Sequence, residues 1–408
     1  MASNTRVAVT GLGVRTPAGH HAKDLWETLA AGRSTARIIT SFAADGLPVN
    51  FACQVGDPKW EEHVTVRQAH RMDRTTLLAV CAAADAVTDA GELHAPPERR
   101  AVMTGTGQAG NETYEQAMLG HGEFGNPTPL TVPKSMHNAA AAWISMRHQV
   151  LGPSLTVSSA CASGGHAIGE GLRLIRDGSA DVVVAGGAEA CVSPSVLLAF
   201  HRCGALSRRV TDPERASRPF DIDRDGFVMA EGAAFVVLER LEAARRRGAR
   251  VYAELAGYGR TSDAYHLTMP VPDGGGAERC MRQALTDARL SPGHVVHVNA
   301  HGTGTPLNDL AEAQAISRVF GPGQVPVTST KSVIGHALGA AGAIEAVVSA
   351  LTVFHGAAHP TANLDTLDPG CDIDVVRAPR ALAPGAVLSN SFAFGGHNAS
   401  LVFTPSGT

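Results

Sequence analysis

The chain turns from a strand into a helix at Val157-Ser-Ser-Ala-Cys-Ala-Ser-Gly-Gly-His-Ala-Ile-Gly, where a short β-branched run meets a glycine-rich segment. This order places Cys161 in the turn, directly before the helix. The dipole and the unpaired N–H groups of a helix start favour a thiolate over a thiol, so the stretch resembles a nucleophile elbow. Most cysteines in cytosolic cores are small buried residues. We apply that interpretation to the other six cysteines and predict a nucleophile at Cys161.

A second stretch, Val327-Thr-Ser-Thr-Lys-Ser-Val-Ile-Gly-His-Ala-Leu-Gly, repeats the pattern of strand, turn and small-residue helix. Two further pairs occur in the same order along the chain: residues 7–13 resemble 252–259, and residues 232–238 resemble 396–403. Short apolar runs alternate with helix-length segments throughout, which is typical of α/β layers with buried strands. The repeat predicts two duplicated lobes, residues 1–250 with Cys161 and residues 251–408. Because no low-complexity linker separates them, we expect a shared interface, a common place for a site.

Composition excludes several classes of protein. The 408 residues are 44% hydrophobic and 18% charged, which predicts a globular protein with a sizeable core. The net charge is −4, from 34 basic and 38 acidic side chains, so neither a nucleic acid nor an anionic membrane is expected as a partner. The 7 cysteines include no CxxC pair and suggest neither a zinc site nor a disulfide framework. With no recognisable targeting segment, these features predict a cytoplasmic location.

Two histidines in the second lobe are candidates for chemistry. His301 follows the apolar run Val295-Val-His-Val-Asn, at the carboxyl end of a strand where α/β sites usually lie. His336 begins the second small-residue helix, with Lys331 five residues before it and Glu345 nine residues after it. A single histidine is more often a surface or capping residue. Two histidines and a lysine at glycine-rich strand ends, opposite a candidate nucleophile, are a rarer combination. A structural pair of Lys331 with Glu345 would also position His336.

Three other motifs are interpreted as structural. Gly105-Thr-Gly-Gln-Ala-Gly fits GxGxxG, but no second strand ending in an acidic residue follows at the spacing a dinucleotide requires. His297 and His301 are four residues apart, on an apparent strand and without HExxH. The alternating acids of Asp221-Ile-Asp-Arg-Asp resemble a calcium loop, but Gly232 stands where that loop needs a glutamate. No metal is expected.

Six motifs taken together resemble those of the elongating-type β-ketoacyl-ACP synthases, which are condensing enzymes of the thiolase fold. They are the Cys161 stretch, Ser217-Arg-Pro-Phe-Asp with Arg224-Asp-Gly-Phe-Val, Thr261-Ser-Asp-Ala-Tyr-His, Asn299-Ala-His-Gly-Thr-Gly-Thr-Pro-Leu-Asn-Asp, Ser329-Thr-Lys-Ser-Val-Ile-Gly-His and Asn390-Ser-Phe-Ala-Phe-Gly-Gly-His-Asn. The resemblance covers nearly the whole chain. It implies a thiolase-like fold, with two duplicated lobes in a layered α/β/α/β/α arrangement.

The resemblance also implies a reaction, the decarboxylative Claisen condensation of malonyl-ACP with a cysteine-bound acyl chain, in fatty-acid or type II polyketide synthesis. The catalytic residues would be Cys161, His301 and His336, with Lys331 and Glu345 as supporting charges. The backbone N–H groups of Cys161 and Phe394 would form the oxyanion hole. No cofactor is implied, since the substrates arrive on the phosphopantetheine arm of acyl carrier protein.

By the same resemblance, substrate-binding positions are Thr303 and Thr305 for the phosphopantetheine arm, Gln108 in the acyl pocket, and Phe394 as a gate whose loop Asn398 anchors. Two positions depart from the family pattern. Gln108 stands where many relatives carry an aliphatic residue that lines the acyl pocket, and Leu310 stands where many carry a lysine or arginine near the expected carrier-protein mouth. His397 favours polyketide-type members, the ketosynthase subunits of type II systems. The implied partners are acyl carrier protein and either a second copy or a subunit like a chain-length factor.

Three alternatives remain open at this point. A thiolase that uses coenzyme A would need a second catalytic cysteine near the C-terminus, and residues 392–398 contain none. A nucleotide-binding oxidoreductase would use the 105–110 glycine loop and would respond to NADH in a fluorescence titration. A non-catalytic structural partner would leave product formation unchanged when Cys161 is replaced by alanine.

Overall fold

The computed structural model of the chain describes residues 5–119 and 125–407. Its strands are β1 (Val7–Arg15), β2 (Arg37–Ile38), β3 (Phe51–Ala52), β4 (Arg100–Gly105), β5 (Ser154–Val157), β6 (Val182–Glu189), β7 (Gly232–Arg240), β8 (Ala253–Ser262), β9 (Val295–Asn299), β10 (Pro326–Thr328), β11 (Ala357–Ala358), β12 (Asp374–Val375), β13 (Arg380–Ala381), β14 (Ala386–Ala393) and β15 (His397–Thr404).

The α-helices in the described residues alternate with these strands. They are α1 (Ala22–Ala30), α2 (Val66–Ala69), α3 (Arg74–Ala90), α4 (Asn111–Met118), α5 (Thr131–Ser135), α6 (Ala139–His148), α7 (Ser163–Arg176), α8 (Pro194–Arg202), α9 (Leu241–Arg246), α10 (Gly275–Ala288), α11 (Pro306–Phe320), α12 (Lys331–Ile334) and α13 (Ala341–His355).

Eleven strands form one continuous sheet whose two halves repeat the same order. The strands β1 and β8 pair antiparallel at its centre. Outward from β1 the neighbours are β7, β6, β4 and β5, and outward from β8 they are β15, β14, β9 and β10, followed by β12. In both halves the first two steps are antiparallel and the next two are parallel. The predicted duplicated α/β fold is therefore confirmed. The boundary at residue 250 stays a prediction, and it falls between α9 and β8.

The two halves of the sheet act as two layers with a pair of helices between them. Further helices cover the outer face of each half, which gives five layers in all. The helices α7 and α13 pack against each other in the middle, α7 on β4 and β6 and α13 on β14 and β7. On the outside, α3 lies on β1 and β7, and α10 lies on β8 and β15. Every residue of β1 and β6 is buried, because helices exclude water from both faces.

Close approach of backbones explains part of the glycine content. A Cβ at Gly105, the last residue of β4, would lie 2.3 Å from the carbonyl carbon of Ser163 at the start of α7. No side chain fits there without moving the helix. The first glycine of the GxGxxG run is thus required by packing of a strand end against α7.

The segment Leu338–His355, which contains α13, is apolar and long enough to cross a membrane by length and composition alone. In the folded chain 83% of it is buried inside the protein. Its hydrophobic character is accounted for by its place in the middle layer, where it packs against α7, β7 and β14.

Candidate active site

Cys161 lies in a tight turn between β5 and α7. Ala160 adopts a left-handed conformation with φ of 48°. The Ser163 hydroxyl donates to the Ala160 carbonyl at 2.6 Å and accepts the Ser159 N–H at 2.9 Å, which closes the turn. The Cys161 side chain is 8% exposed. The predicted elbow is present, and it presents the sulfur at the start of the helix.

The protonation state of Cys161 differs from the expectation based on the helix start. Burial raises the pKa of the thiol to about 12, and the negative charge of Glu189 acts in the same direction. The Lys331 ammonium and the backbone N–H groups of Phe394 and Cys161 lower it. The prediction of an environment that favours the thiolate is wrong for the resting chain, because the loss of hydration outweighs these favourable groups.

His336 contacts the sulfur directly. Its Nε2 lies 3.1 Å from Cys161 Sγ. The His336 N–H donates to the Val228 carbonyl at 2.8 Å, and the His336 carbonyl accepts the Ala230 N–H at 3.0 Å, so a segment from the first half of the chain holds it. The His301 ring is 5.3 Å from the His336 ring, centre to centre, and nearly perpendicular to it. Residues of both halves therefore converge on one point.

The buried ion pair of Lys331 and Glu345 supports His301. Lys331 Nζ donates to the His301 carbonyl at 2.6 Å and lies 3.3 Å from His301 Nδ1, and it also bonds to Glu345 Oε1. An ammonium beside Nδ1 leaves that nitrogen as acceptor, so the ring proton belongs on Nε2. The expectation that this pair positions His336 needs correction, since its contacts are with His301. Burial raises the pKa of the Glu345 carboxyl to about 7, and Lys331 opposes that shift.

The surroundings of both imidazoles favour their neutral form. Burial lowers the pKa of His301 and His336 well below the usual range, and the nearby Lys331 charge acts in the same direction. Neutral rings can donate N–H bonds to a developing oxyanion without carrying a net charge into a dry pocket.

Glu312 is a site residue that the sequence reasoning missed. Its carboxylate, on α11, accepts the backbone N–H groups of His301 and Gly302, both at 2.8 Å, and the side chain of Asn390 at 3.2 Å. Burial raises its pKa to about 7. The signal was available, since Glu312 lies in the helix that directly follows the His301 motif.

The loop that carries Phe394 is tied to the loop facing it. The Gly395 N–H donates to the Leu267 carbonyl at 2.7 Å, and Asn398 Nδ2 donates to Asp263 Oδ1 at 2.7 Å. The Asn398 side chain thus serves as an anchor between these loops, as expected of it. Its further prediction as a substrate-binding residue has no support in these contacts. The Phe394 ring is half-buried and lies 6.4 Å from the Phe200 ring.

Thr303 and Thr305 lie together in the loop between β9 and α11, with their hydroxyls 2.9 Å apart. Contact with a phosphopantetheine arm stays a prediction. Gln108 is exposed on the surface of this single chain, although its backbone N–H is buried against Glu189. Its place in an acyl pocket also stays a prediction.

The structure accounts for the two apparent metal motifs. His297 Nε2 lies 3.0 Å from the Thr328 hydroxyl, and His297 lies within β9, whereas His301 follows that strand. Asp221 accepts the backbone N–H groups of Asp223, Asp365 and Thr366 at 2.8 to 2.9 Å, which makes it the centre of a structural turn.

A buried histidine near His297 yields a prediction on pH and stability. Burial lowers the pKa of His359 to about 4, against about 6.5 in an unfolded chain. Below pH 6.5 the unfolded chain therefore binds a proton that the folded chain does not, and stability falls as the pH drops towards 4. We expect His359→Gln to remove a contribution of about 1.4 kcal/mol per pH unit from the pH dependence of the free energy of unfolding.

Urea unfolding at pH 7 and pH 5 measures this contribution. The stability difference between wild type and His359→Gln should shrink at pH 5. His94→Gln is the control, because His94 is exposed and the same substitution there should leave the pH dependence unchanged. Parallel pH profiles for wild type and His359→Gln would refute the prediction.

Most of the chain matches the two domain models of one known protein family. The family model described as "Beta-ketoacyl synthase, N-terminal domain" matches residues 4–244, and "Beta-ketoacyl synthase, C-terminal domain" matches residues 252–365. The chain is 42% identical over 407 residues to 3-oxoacyl-[acyl-carrier-protein] synthase 2 of Synechocystis sp., covering 98% of this chain and 97% of the relative. It is 41% identical over 409 residues to the protein of the same name from Coxiella burnetii, covering 98% of each.

Solved structures of proteins named as ketosynthases or β-ketoacyl synthases share the fold of this chain. The ishigamide ketosynthase/chain length factor matches with a TM-score of 0.90 and 37% identity, covering 98% of this chain and 99% of that one. A solved complex of a type II polyketide synthase acyl-carrier protein with its ketosynthase bound to the hexaketide contains a chain that matches with a TM-score of 0.89 and 32% identity. The match covers 98% of this chain and 99% of that one. A β-ketoacyl synthase from Burkholderia phymatum matches with a TM-score of 0.92 and 36% identity, again at that coverage.

Proposed function

Because the chain belongs to the β-ketoacyl synthase family, we propose that Cys161, His301 and His336 carry out the decarboxylative condensation of malonyl-ACP with a Cys161-bound acyl chain. The enzyme is an acyltransferase of the β-ketoacyl-ACP synthase type. The observation that carries the residue assignment is the convergence of the Cys161 sulfur, the His336 Nε2 at 3.1 Å and the adjacent His301 ring. In this proposal, residues 1–250 supply the nucleophile and residues 251–408 supply the histidines.

The first half-reaction is acyl transfer. Cys161 Sγ attacks the thioester carbonyl of the acyl carrier, and the backbone N–H groups of Cys161 and Phe394 stabilise the tetrahedral oxyanion. Both N–H groups lower the pKa of the Cys161 thiol, which is consistent with their lying near the sulfur. The new Cys161 thioester forms as the bond to the phosphopantetheine sulfur breaks. The thiol proton of Cys161 ends on that departing sulfur, so charge and atoms balance.

The second half-reaction is condensation. The carbonyl of the malonyl thioester accepts N–H bonds from His301 Nε2 and His336 Nε2. Carbon dioxide leaves, and the electron pair of the broken bond forms an enolate that these donors stabilise. The enolate carbon attacks the Cys161 thioester, which leaves a β-ketoacyl chain on the carrier and expels the Cys161 sulfur as a thiolate. A proton from solvent then restores the resting thiol. Lys331 holds His301 in the tautomer that this step requires.

The partner in both half-reactions is acyl carrier protein, which delivers its phosphopantetheine arm past Thr303 and Thr305 to Cys161. No separate cofactor takes part. We also propose a dimer, with a second copy or with a subunit like a chain-length factor, since one solved neighbour is a ketosynthase with its chain length factor. The strand β5 supports this proposal: it pairs with β4 at the edge of the sheet, and its Leu155 is 57% exposed.

The curated relatives are named 3-oxoacyl-[acyl-carrier-protein] synthase 2, and one solved neighbour is named for a type II polyketide synthase. We therefore propose fatty-acid or polyketide synthesis as the pathway. Both use the same condensation, so the proposal covers both pathways. A cytoplasmic location is proposed because all seven cysteines are free and six of them are buried. The comparisons support neither a thiolase nor an oxidoreductase.

Intact-mass spectrometry with an acyl carrier protein tests the proposal. We expect the protein to gain the mass of one acyl group when an acyl carrier is added. Malonyl carrier protein should then remove that mass and release carbon dioxide, leaving the carrier with a chain two carbons longer. A protein that gains no acyl mass and releases no carbon dioxide would overturn the proposal.

A further inference from the structure

Glu189 is a buried carboxylate outside the proposed mechanism. It is the last residue of β6 and is 0% exposed. Its oxygens accept hydrogen bonds from five donors on two separate segments of the chain. These donors are the Thr106 hydroxyl at 3.0 Å, the backbone N–H groups of Gly107 at 2.7 Å, Gln108 at 3.0 Å and Ala109 at 3.1 Å, and the N–H of Gly339 at 3.1 Å.

The first segment, residues 106–109, supports the turn that carries Cys161. The Thr106 N–H donates to the Val157 carbonyl at 3.1 Å, and the Thr106 carbonyl accepts the Ser163 hydroxyl at 3.3 Å. A Cβ placed on Gly107 would lie 3.7 Å from the Cα of Ala160, the residue before Cys161. The loop therefore lies directly against the elbow.

The second segment begins directly after His336. Leu338 adopts a left-handed conformation with φ of 42°, which directs the Gly339 N–H to the carboxylate. A Cβ on Gly339 would lie 2.4 Å from the Gly107 nitrogen and 2.6 Å from Glu189 Oε2. The two segments thus touch each other through the carboxylate, with no room for a side chain between them.

The five donors offset the free-energy cost of burying the Glu189 carboxylate. A buried charge is costly unless hydrogen bonds or an opposite charge compensate it. Burial raises the pKa of Glu189, and the bonds from residues 106, 107, 108 and 339 oppose that shift. A group of this kind fixes the backbone that surrounds it, because any movement of that backbone would leave the carboxylate unsatisfied.

We propose that Glu189 is a positioning residue for acyl transfer, which holds the 106–109 loop beneath Cys161 and the Gly339 backbone beyond His336 in one arrangement. This inference rests on the proposed function for the role of Cys161 and adds a residue to it. Glu189 does not touch the substrate. It acts through the elbow of the first half and through the segment that follows His336 in the second half.

Glu189→Gln tests the proposal, with Glu239→Gln as the matched control. One oxygen of the carboxylate becomes an NH₂ group, which cannot accept the hydrogen bonds that backbone N–H groups now donate to it. The 106–109 loop and the Gly339 backbone should therefore be held less tightly. Glu239 is also buried and lies at the opposite end of the β6–β7 pair, where it is bonded to Arg247. We expect acyl transfer to Cys161 to slow by about 10- to 100-fold in Glu189→Gln. It should stay within about twofold in Glu239→Gln, because that residue is remote from the site.

The pH dependence of Cys161 alkylation by iodoacetamide shows whether Glu189 carries its negative charge beside the sulfur, and Thr106→Val, described below, separates that charge from the positioning role. Removing the charge of Glu189 should shift this profile to lower pH, whereas Glu239→Gln should leave it in place. Alkylation does not require the carrier protein, so it tests the inference even if the proposed function fails. Wild-type protein that takes no acyl group would contradict the proposed function alone.

Thr106→Val keeps the test decisive if Glu189→Gln does not fold. It removes one donor and leaves the charge, so we expect acyl transfer to slow by about two- to fivefold with no shift of the alkylation profile. The inference is overturned if the folded variants transfer acyl groups at the wild-type rate. It is also overturned if Glu189→Gln and Glu239→Gln slow the transfer equally and leave the alkylation profile unmoved.

Discussion

Cys161→Ala is expected to abolish condensation, with a loss of about 10⁴-fold or more in turnover. The alanine has no atom that can form the thioester, so both half-reactions lose their shared intermediate. Intact-mass spectrometry should show no acyl adduct, and product formation from acyl and malonyl carriers should stop. Stability should change little, because the substitution removes only one buried sulfur atom.

Cys203→Ala is the matched control. Cys203 is a free and exposed thiol, open to small electrophiles, but it lies at the end of α8, and no hydrogen bond joins its sulfur to a histidine ring in the part of the chain that the structure describes. This variant should retain the full acyl adduct and full turnover. An acyl adduct that persists in Cys161→Ala, or that disappears in Cys203→Ala, would show that the nucleophile has been assigned wrongly. Unchanged product formation by Cys161→Ala would instead favour a non-catalytic partner.

His301→Ala is expected to separate the two half-reactions. It removes one of the two N–H donors to the malonyl thioester carbonyl, and such a donor contributes about 10²- to 10³-fold. Carbon dioxide release from malonyl carrier protein should fall by about that factor. Acylation of Cys161 should stay within about threefold of wild type, since its oxyanion is held by backbone N–H groups. Single-turnover assays of each half-reaction measure both quantities.

His297→Ala controls for the loss of a buried imidazole. His297 is also fully buried, lies four residues earlier within β9, and bonds to Thr328 instead of contacting Cys161. This variant should lose stability but keep the ratio of the two half-reactions. If His301→Ala slows acylation as much as decarboxylation, or if His297→Ala separates the steps equally well, the donor role of His301 is wrong.

Local sequence patterns were sufficient to predict the elements of the site. A β-branched run followed by small residues predicted the elbow at Cys161, and the apolar run before His301 predicted its position at a strand end. The internal repeat predicted the duplication that the sheet order displays. These features depend on neighbours within a few residues, so they can be read from one segment at a time.

Contacts between distant segments could not be predicted in this way. Lys331 is five residues from His336 but contacts His301, because the parallel register of β10 with β9 aligns Thr328 with Asn299 and brings the two strand ends together. Glu312 and Glu189 likewise accept hydrogen bonds from backbone N–H groups that only the folded chain brings next to them. The raised pKa of Cys161 depends on the whole surrounding core, which no local motif encodes.

A crystal structure of the Cys161-acylated protein, soaked with a non-hydrolysable malonyl-pantetheine amide, tests the central claim most directly. The account predicts that the carbonyl oxygen of the analogue lies about 2.7–3.2 Å from both His301 Nε2 and His336 Nε2, with its methylene carbon facing the Cys161 thioester. An analogue bound with its carbonyl out of reach of either imidazole would contradict the claim that these three side chains serve one substrate atom.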